Sequence, residues 1–272
     1  IGMYRSSRNT IVHNRVDYAV RGYSHGFFRR GQDSAALLMF EQCTANVVAW
    51  NSMTHSGDGL FLWAGQHTMD TGEGGSNDNL FWGNDFSFAP TNGMEATFSR
   101  NSFVANRVEG SEHGLWGGYS WESRVIGNRF ARNRIGIAWE HGQAHVVSHN
   151  AFEGDSTAIR LWADTIAPSD WGYPKHRDTR SRDWRITSNG FARHRVGVRM
   201  SSSSGVLADN AFIGIDSVVV VPKPPGLEVG ANVVVAERLP VRVDHTALPD
   251  SIARLAPPKR PGGFLPDTQS AV

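Results

Sequence analysis

The chain has 272 residues and a mass of 29.9 kDa, enough for one large domain with a substantial core. Lys+Arg is 27 and Asp+Glu is 26, a net charge of +1 that gives no general ground for a nucleic-acid or acidic-membrane partner. The single Cys43 excludes an intrachain disulfide framework and a Cys-rich metal or iron–sulfur site, and no run of 18 apolar residues predicts a membrane span.

High Gly (29 residues), high Trp (nine) and low charge (19%) favour turn-rich β-structure over a helical bundle. Residue 1 is Ile, with no charged-then-apolar leader after it. Nine asparagines then mark a repeat: Asn14, Asn51, Asn84, Asn106, Asn128, Asn150, Asn189, Asn210 and Asn232. Five of their eight spacings are 21 or 22, and the other three are the same unit with 11 to 17 residues added.

Each unit predicts two short strands. The first precedes the Asn and carries Val47, Leu80, Phe103, Val125, Val146 or Ile186 as its core residue. Two residues after the Asn stands Phe86, Val108, Phe130, Phe152, Phe191 or Phe212. The second strand opens with Gly and an apolar residue, as in Gly59-Leu60, Gly93-Met94, Gly114-Leu115, Gly136-Ile137 and Gly197-Val198.

A unit of about 22 residues rich in Gly, Asn and β-branched residues is too short for two helices. It fits an all-β solenoid, the single-stranded parallel β-helix, with one turn per repeat and about nine to ten coils spaced roughly 4.8 Å apart. The expected solenoid covers 1–235, followed by an irregular C-terminal segment with a Pro/Gly-rich tail over 236–272. Pro222, Pro224 and Pro225 interrupt the last regular coil. Ile1 and Ile137 both lie 13 residues before an anchor Asn, so the chain is expected to begin inside a coil, with earlier coils or a cap before it. The anchor asparagines read as structural, each bonding the Asn of the next coil in a ladder.

The Asn-x-Phe … Gly-Ile-x-Leu repeat resembles the right-handed parallel β-helix repeats of pectate-lyase-like proteins. It is similar in style to the carbohydrate-binding and sugar-hydrolysis repeats that include the NosD-like periplasmic proteins. That resemblance implies a right-handed solenoid and an exported, secreted or periplasmic protein. It leaves open lyase, hydrolase, epimerase, esterase and non-catalytic roles. No Asn-Thr-Asp followed by Asp-Asp, as in polygalacturonases, and no Asp-Pro-His-Asp, as in alginate epimerases, is present.

In the second strand, residues one and three after the Gly point inward, and residues two and four point outward. The first outward column reads Phe61, Glu95, Trp116, Ala138, Arg160, Arg199; the second reads Trp63, Thr97, Gly118, Glu140, Trp162, Ser201. Counting back from the Asn adds Glu41 and Tyr4 to the second column. Trp63, Trp116 and Trp162 on a solvent-facing sheet suggest a saccharide groove, with Arg160, His113 and His141 as polar contacts. Gly117 and Gly118 are expected to leave a hollow walled by Glu95, Trp116, Glu140 and Trp162. Glu95 and Glu140 are the candidate catalytic pair, with side chains able to reach the roughly 6.5–9.5 Å separation of an inverting glycosidase. Asp58, Glu112 and Asp164 stand in reserve.

Two insertions follow second strands, Gly65 to Asp78 and Ala163 to Asp183, and are expected to flank the groove from one edge. The second offers Trp171 and Tyr173 to close over a ligand and Lys175, His176 and Arg177 to bind an acidic sugar. Asp70, Glu73 and Asp78 of the first offer oxygens to Ca²⁺ but lack a fixed ligand spacing; no other metal or cofactor is expected. A third insertion, about Asp17 to Asp33, holds His25, Phe27, Phe28, Arg29 and Arg30. The favoured reading is a glycoside hydrolase on a polysaccharide or oligosaccharide. The alternatives are a lyase on a uronic-acid polymer, with Arg160, Lys175 or His176 as base and Arg199 on the carboxylate, or a non-catalytic saccharide-binding, NosD-like solenoid. Copper handling lacks support from a chain with one Cys and no Met-rich or His-rich cluster.

Overall fold

The computed structural model describes residues 1–21, 34–164, 171–221, 226–237 and 248–258. It is a right-handed parallel β-helix built from three all-parallel sheets of nine, nine and six strands. One sheet, here the groove sheet, runs Gly2–Tyr4, Ala35–Phe40, Asp58–Trp63, Asn92–Thr97, His113–Gly118, Ile135–Glu140, Thr157–Trp162, Val196–Ser201 and Ser217–Val220. The second sheet holds the three-residue strands before the anchor asparagines, from Thr10–Val12 to Leu227–Val229. The third holds the strands just after them, from Arg107–Glu109 to Val233–Val235. Most of the third insertion, Asp170 of the second, Pro222, Pro224, Pro225 and the Pro/Gly-rich tail from 259 onward lie outside the described residues.

The repeat translates directly into stacking. Each anchor Asn donates its side-chain amide to Oδ1 of the next, from Asn14 to Asn232, at 2.9–3.0 Å. The same Oδ1 atoms accept the backbone N–H of the preceding Asn, so each buried turn is satisfied within the protein. The Phe residues that follow stack face to face along the core, as with Phe152 on Phe191 at 4.9 Å and Phe191 on Phe212 at 4.6 Å. Gly opens the groove-sheet strands because the next coil passes too close for a side chain. A Cβ on Gly59, Gly114 or Gly136 would lie 2.5–2.6 Å from that coil's carbonyl oxygen.

Three features differ from the sequence expectation. From Arg107–Glu109 onward a third short strand follows the anchor Asn, where the sequence predicts two strands per unit. A second ladder runs five residues ahead of the first, Asn9 to Asn46 to Asn79 to Asn101, then continues through Ser123 to His145. In the second sheet the inward residues are Val48, Phe81, Phe103, Val125, Val147 and Ile186. Val47, Leu80 and Val146 sit one residue earlier and face outward, half-buried. That outer apolar stripe, with Trp50 and Trp82, is packed by Leu248 and Ile252 from the short helix α3 (Asp250–Ala253) and the residues before it.

Candidate functional site

Parallel register fixes which side chains share the outer face of the groove sheet. Phe61, Glu95, Trp116, Ala138, Arg160 and Arg199 align coil by coil, as do Gly118, Glu140, Trp162 and Ser201. The inward partners Leu60, Leu62, Ile159, Leu161, Val198 and Met200 are buried. Phe40, not Glu41, stands in the second column beside Tyr4 and Trp63. Glu41 and Gln42 both occupy left-handed backbone at the corner (φ 51 and 45), and this added turn residue shifts the count from Asn51. Glu41 pairs with Arg5 at that corner instead.

A cavity of about 610 Å³ opens on this face. It is lined by Phe40, Asp58, Phe61, Trp63, Thr91, Asn92, Glu95, Thr97, Phe98, Gly118, Tyr119, Glu140 and Trp171. Both candidate glutamates are therefore in one cavity, two coils and one pleat apart, about 9.6 Å along the axis. The two glycines do different things. Gly117 faces the core, where a Cβ would lie 2.3 Å from the ring of buried Trp139. Gly118 faces the cavity, and the Glu140 carboxyl lies across it, with Oε1 3.4 Å from the position of a Cβ.

The two carboxyls have unlike surroundings. Burial, then the charge of Asp164, pushes the Glu140 pKa up to about 7, against a hydrogen bond from Trp162 that favours the carboxylate. Glu95 Oε2 accepts a 2.7 Å hydrogen bond from the Asn92 amide. Asn92 Oδ1 in turn accepts from His113 Nδ1 at 2.9 Å, and His113 Nε2 accepts from Arg134 at 3.2 Å. Burial, then the Arg134 charge, lowers the His113 pKa to about 4, so this ring is a neutral link. Asp58 is buried at the cavity edge and accepts from Thr91 Oγ1 at 2.6 Å and the Asn92 N–H at 2.7 Å.

One wall is a ring stack absent from the sequence reading. Phe98, Tyr119 and His141 each follow a strand in left-handed backbone, and the rings stack at 5.2 Å and 4.5 Å. The signal was an aromatic or His at the fifth place after the strand Gly in three successive coils. His141 is buried behind Tyr119, with its ring nitrogens on the Thr179 carbonyl and the Asp164 N–H. Burial, then Glu140, pushes the Tyr119 pKa up to about 12, so its hydroxyl keeps its proton.

The two insertions meet beside the cavity. Helix α1 (Gln66–Thr71) packs on α2 (Tyr173–His176), and Arg177 Nε donates to the Gly72 carbonyl at 2.8 Å. Gly172 lies so close to the Asp70 backbone that a Cβ there would collide with it. Tyr173 is buried and donates to the Tyr119 carbonyl at 2.8 Å, which holds Trp171 against Phe98 and Tyr119 in the cavity wall. Lys175 points to solvent and does not line the cavity. His176 lines a separate 200 Å³ cleft with Trp121, Gln143 and Asp178. Trp116 and Trp162 lie beside the cavity, 5.5 Å apart, with the Arg160 guanidinium 4.6 Å above the Trp162 ring.

A protein-family model described as periplasmic copper-binding protein (NosD) matches residues 1–180, about two thirds of the chain. The chain belongs to the NosD family. Curated proteins include no match to it. The soft and imidazole donors of this NosD-family chain bear on the copper in that description. Cys43 is buried against the Phe40 carbonyl, and Met3, Met39, Met53, Met94 and Met200 are core residues. His145 is fully buried, accepting from the Ser123 N–H and donating to the Ser120 carbonyl. Among the described residues no group of three or more His, Cys, Asp or Glu side chains converges, so these residues do not fit a copper site. Of the oxygens considered for calcium, Asp78 is paired with Arg100 and Asp70 accepts from Gln66. No helix among the described residues is long and apolar enough to cross a membrane.

Proposed function

We propose that this NosD-family chain is a glycoside hydrolase acting in the periplasm or outside the cell, with Glu140 as general acid and Glu95 as general base. The observation that carries the reading is the unlike surroundings of two carboxyls in one aromatic cavity. Glu140, with a pKa pushed up to about 7, is about half protonated at neutral pH, where an ordinary carboxyl is almost fully ionised. Glu95 accepts from the Asn92 amide, a bond that favours its carboxylate. Trp63, Phe61 and Phe40 offer apolar faces to sugar C–H surfaces, and Tyr119 and Thr97 offer hydroxyls to the ring substituents.

In this mechanism Glu140 protonates the glycosidic oxygen as the bond from it to the anomeric carbon breaks. Glu95 takes a proton from a water that attacks that carbon from the opposite face, giving a free reducing end of inverted configuration. The two-coil separation favours a water between the carboxyls over direct attack by Glu95. The chain Arg134–His113–Asn92 then orients the base.

The test is a panel of neutral and acidic polysaccharides, read for reducing ends and for the ultraviolet absorbance of unsaturated products. Reducing ends that vanish in Glu140→Gln and Glu95→Gln support the hydrolase. Unsaturated products would move the chemistry to a lyase. Tryptophan fluorescence changes without turnover would leave a saccharide-binding solenoid.

A further inference from the structure

The face beyond Glu140, toward the C-terminal end of the groove sheet, changes character. Arg160 and Arg199 occupy the same outward column on adjacent coils, directly in register. Like charges opposite one another in neighbouring strands repel, and a sheet normally separates or pairs them. Among the described residues neither has a carboxylate within ion-pair distance. Elsewhere on the solenoid the pattern is the reverse: Arg129 and Arg193 converge on Glu153, and Arg107 and Arg132 on Glu109. Both groove arginines are exposed, although Arg160 is already oriented by its contact with Trp162.

Ala138, between Trp116 and Arg160 in the column, is fully buried, and the Trp116 and Trp162 rings lie 5.5 Å apart beside the Arg160 guanidinium. The forked guanidinium geometry suits bidentate contact with a planar or tetrahedral oxyanion. Building on the saccharide reading of the cavity, we infer that Arg160 and Arg199 form an anion subsite one to two coils beyond Glu140. The substrate carries a carboxylate or sulfate group on the sugar bound there. Neutral sugar faces pack on Trp63 and Phe40 at the other end, so the groove reads charge along the axis of the solenoid.

The test measures binding to the full-length Glu140→Gln chain, which holds the glycan without turning it over. Three oligosaccharides of equal length are compared by calorimetry at low and high salt: neutral, uronate-bearing and sulfated. One anionic ligand is expected to bind about tenfold tighter than the neutral one, with the advantage shrinking at high salt. Which one does so distinguishes carboxylate from sulfate. Adding Arg199→Gln or Arg160→Gln should remove most of that advantage, with a much smaller loss for the neutral ligand. Equal binding of neutral and anionic ligands, or equal losses for both in the arginine variants, would overturn the anion subsite and leave the saccharide cavity standing. No binding of any of the three would overturn both.

Discussion

Two outer faces of this solenoid carry tryptophans, and the molecule treats them oppositely. On the second sheet, Trp50, Trp82, Val47 and Leu80 form an apolar stripe that Leu248 and Ile252 pack against. On the groove sheet, Trp63 and Phe61 line an open cavity together with Glu95, Glu140 and Asp58. The chain therefore covers the apolar stripe of the second sheet and leaves the aromatic cavity of the groove sheet open. Exposed aromatic surface beside titratable groups is the pattern of a binding site, and covered aromatic surface is ordinary packing.

The comparison can be broken at four places. The largest effect belongs to the two glutamates. Glu140→Gln and Glu95→Gln should each lower turnover by about 10²–10⁴-fold, with the thermal midpoint close to wild type. An unchanged rate would remove the assigned roles. Next is the covered face: Leu248→Asp with Ile252→Asp should cost about 2–4 kcal/mol in denaturant unfolding, while turnover at a permissive temperature stays unchanged.

The adjacent glycines sharpen the contrast between core and cavity. Gly117→Ala drives a methyl into Trp139 and should cost about 1–3 kcal/mol of stability. Gly118→Ala meets Glu140 at ordinary contact distance and should leave stability within about 0.5 kcal/mol while weakening substrate binding. The last effect concerns pH. Asp155, buried with its Oδ2 accepting no hydrogen bond and lying 3.9 Å from His194 Nδ1, has its pKa raised to about 8 by burial, against hydrogen bonds from Asn133. The folded state thus holds a proton that the unfolded state releases above the usual carboxylate pKa. Buried His194 beside Asp155 has its pKa lowered to about 4 by burial and contributes the opposite slope below its ordinary value of 6.5, so the pair's contribution to stability should fall as pH rises from about 6.5 to about 8. Asp155→Asn, whose Oδ1 can keep accepting the Asn133 side-chain amide, should flatten that slope and add about 1 kcal/mol at neutral pH, measured by urea unfolding.

The parts legible in the sequence were those that repeat. The anchor asparagines and the Phe stack recur at one spacing because every coil solves the same packing problem. The alternation after each Gly placed Glu95, Trp116, Arg160 and Glu140 in their observed columns. The parts that were not legible depend on where a turn gains a residue or where a loop goes. One additional left-handed residue exchanged Glu41 for Phe40. A one-residue error in phase turned Val47, Leu80 and Val146 outward, and packing by Leu248 and Ile252 explains why apolar residues occur there. Lys175 and His176 share a loop with Trp171, but only the packing of α2 on α1 turns Trp171 into the cavity and leaves the other two outside. The Phe98–Tyr119–His141 wall was periodic, yet its residue types differ too much to stand out.

The most direct test of the central claim needs no substrate. Carbon-13 NMR of labelled carboxyl groups, assigned with Glu140→Gln, measures the titration of Glu140 in the intact chain. The account predicts a midpoint near 7, with Glu140 still largely protonated just below neutral pH. A midpoint in the ordinary carboxylate range, near 4, would leave the cavity without its acid and contradict the assignment.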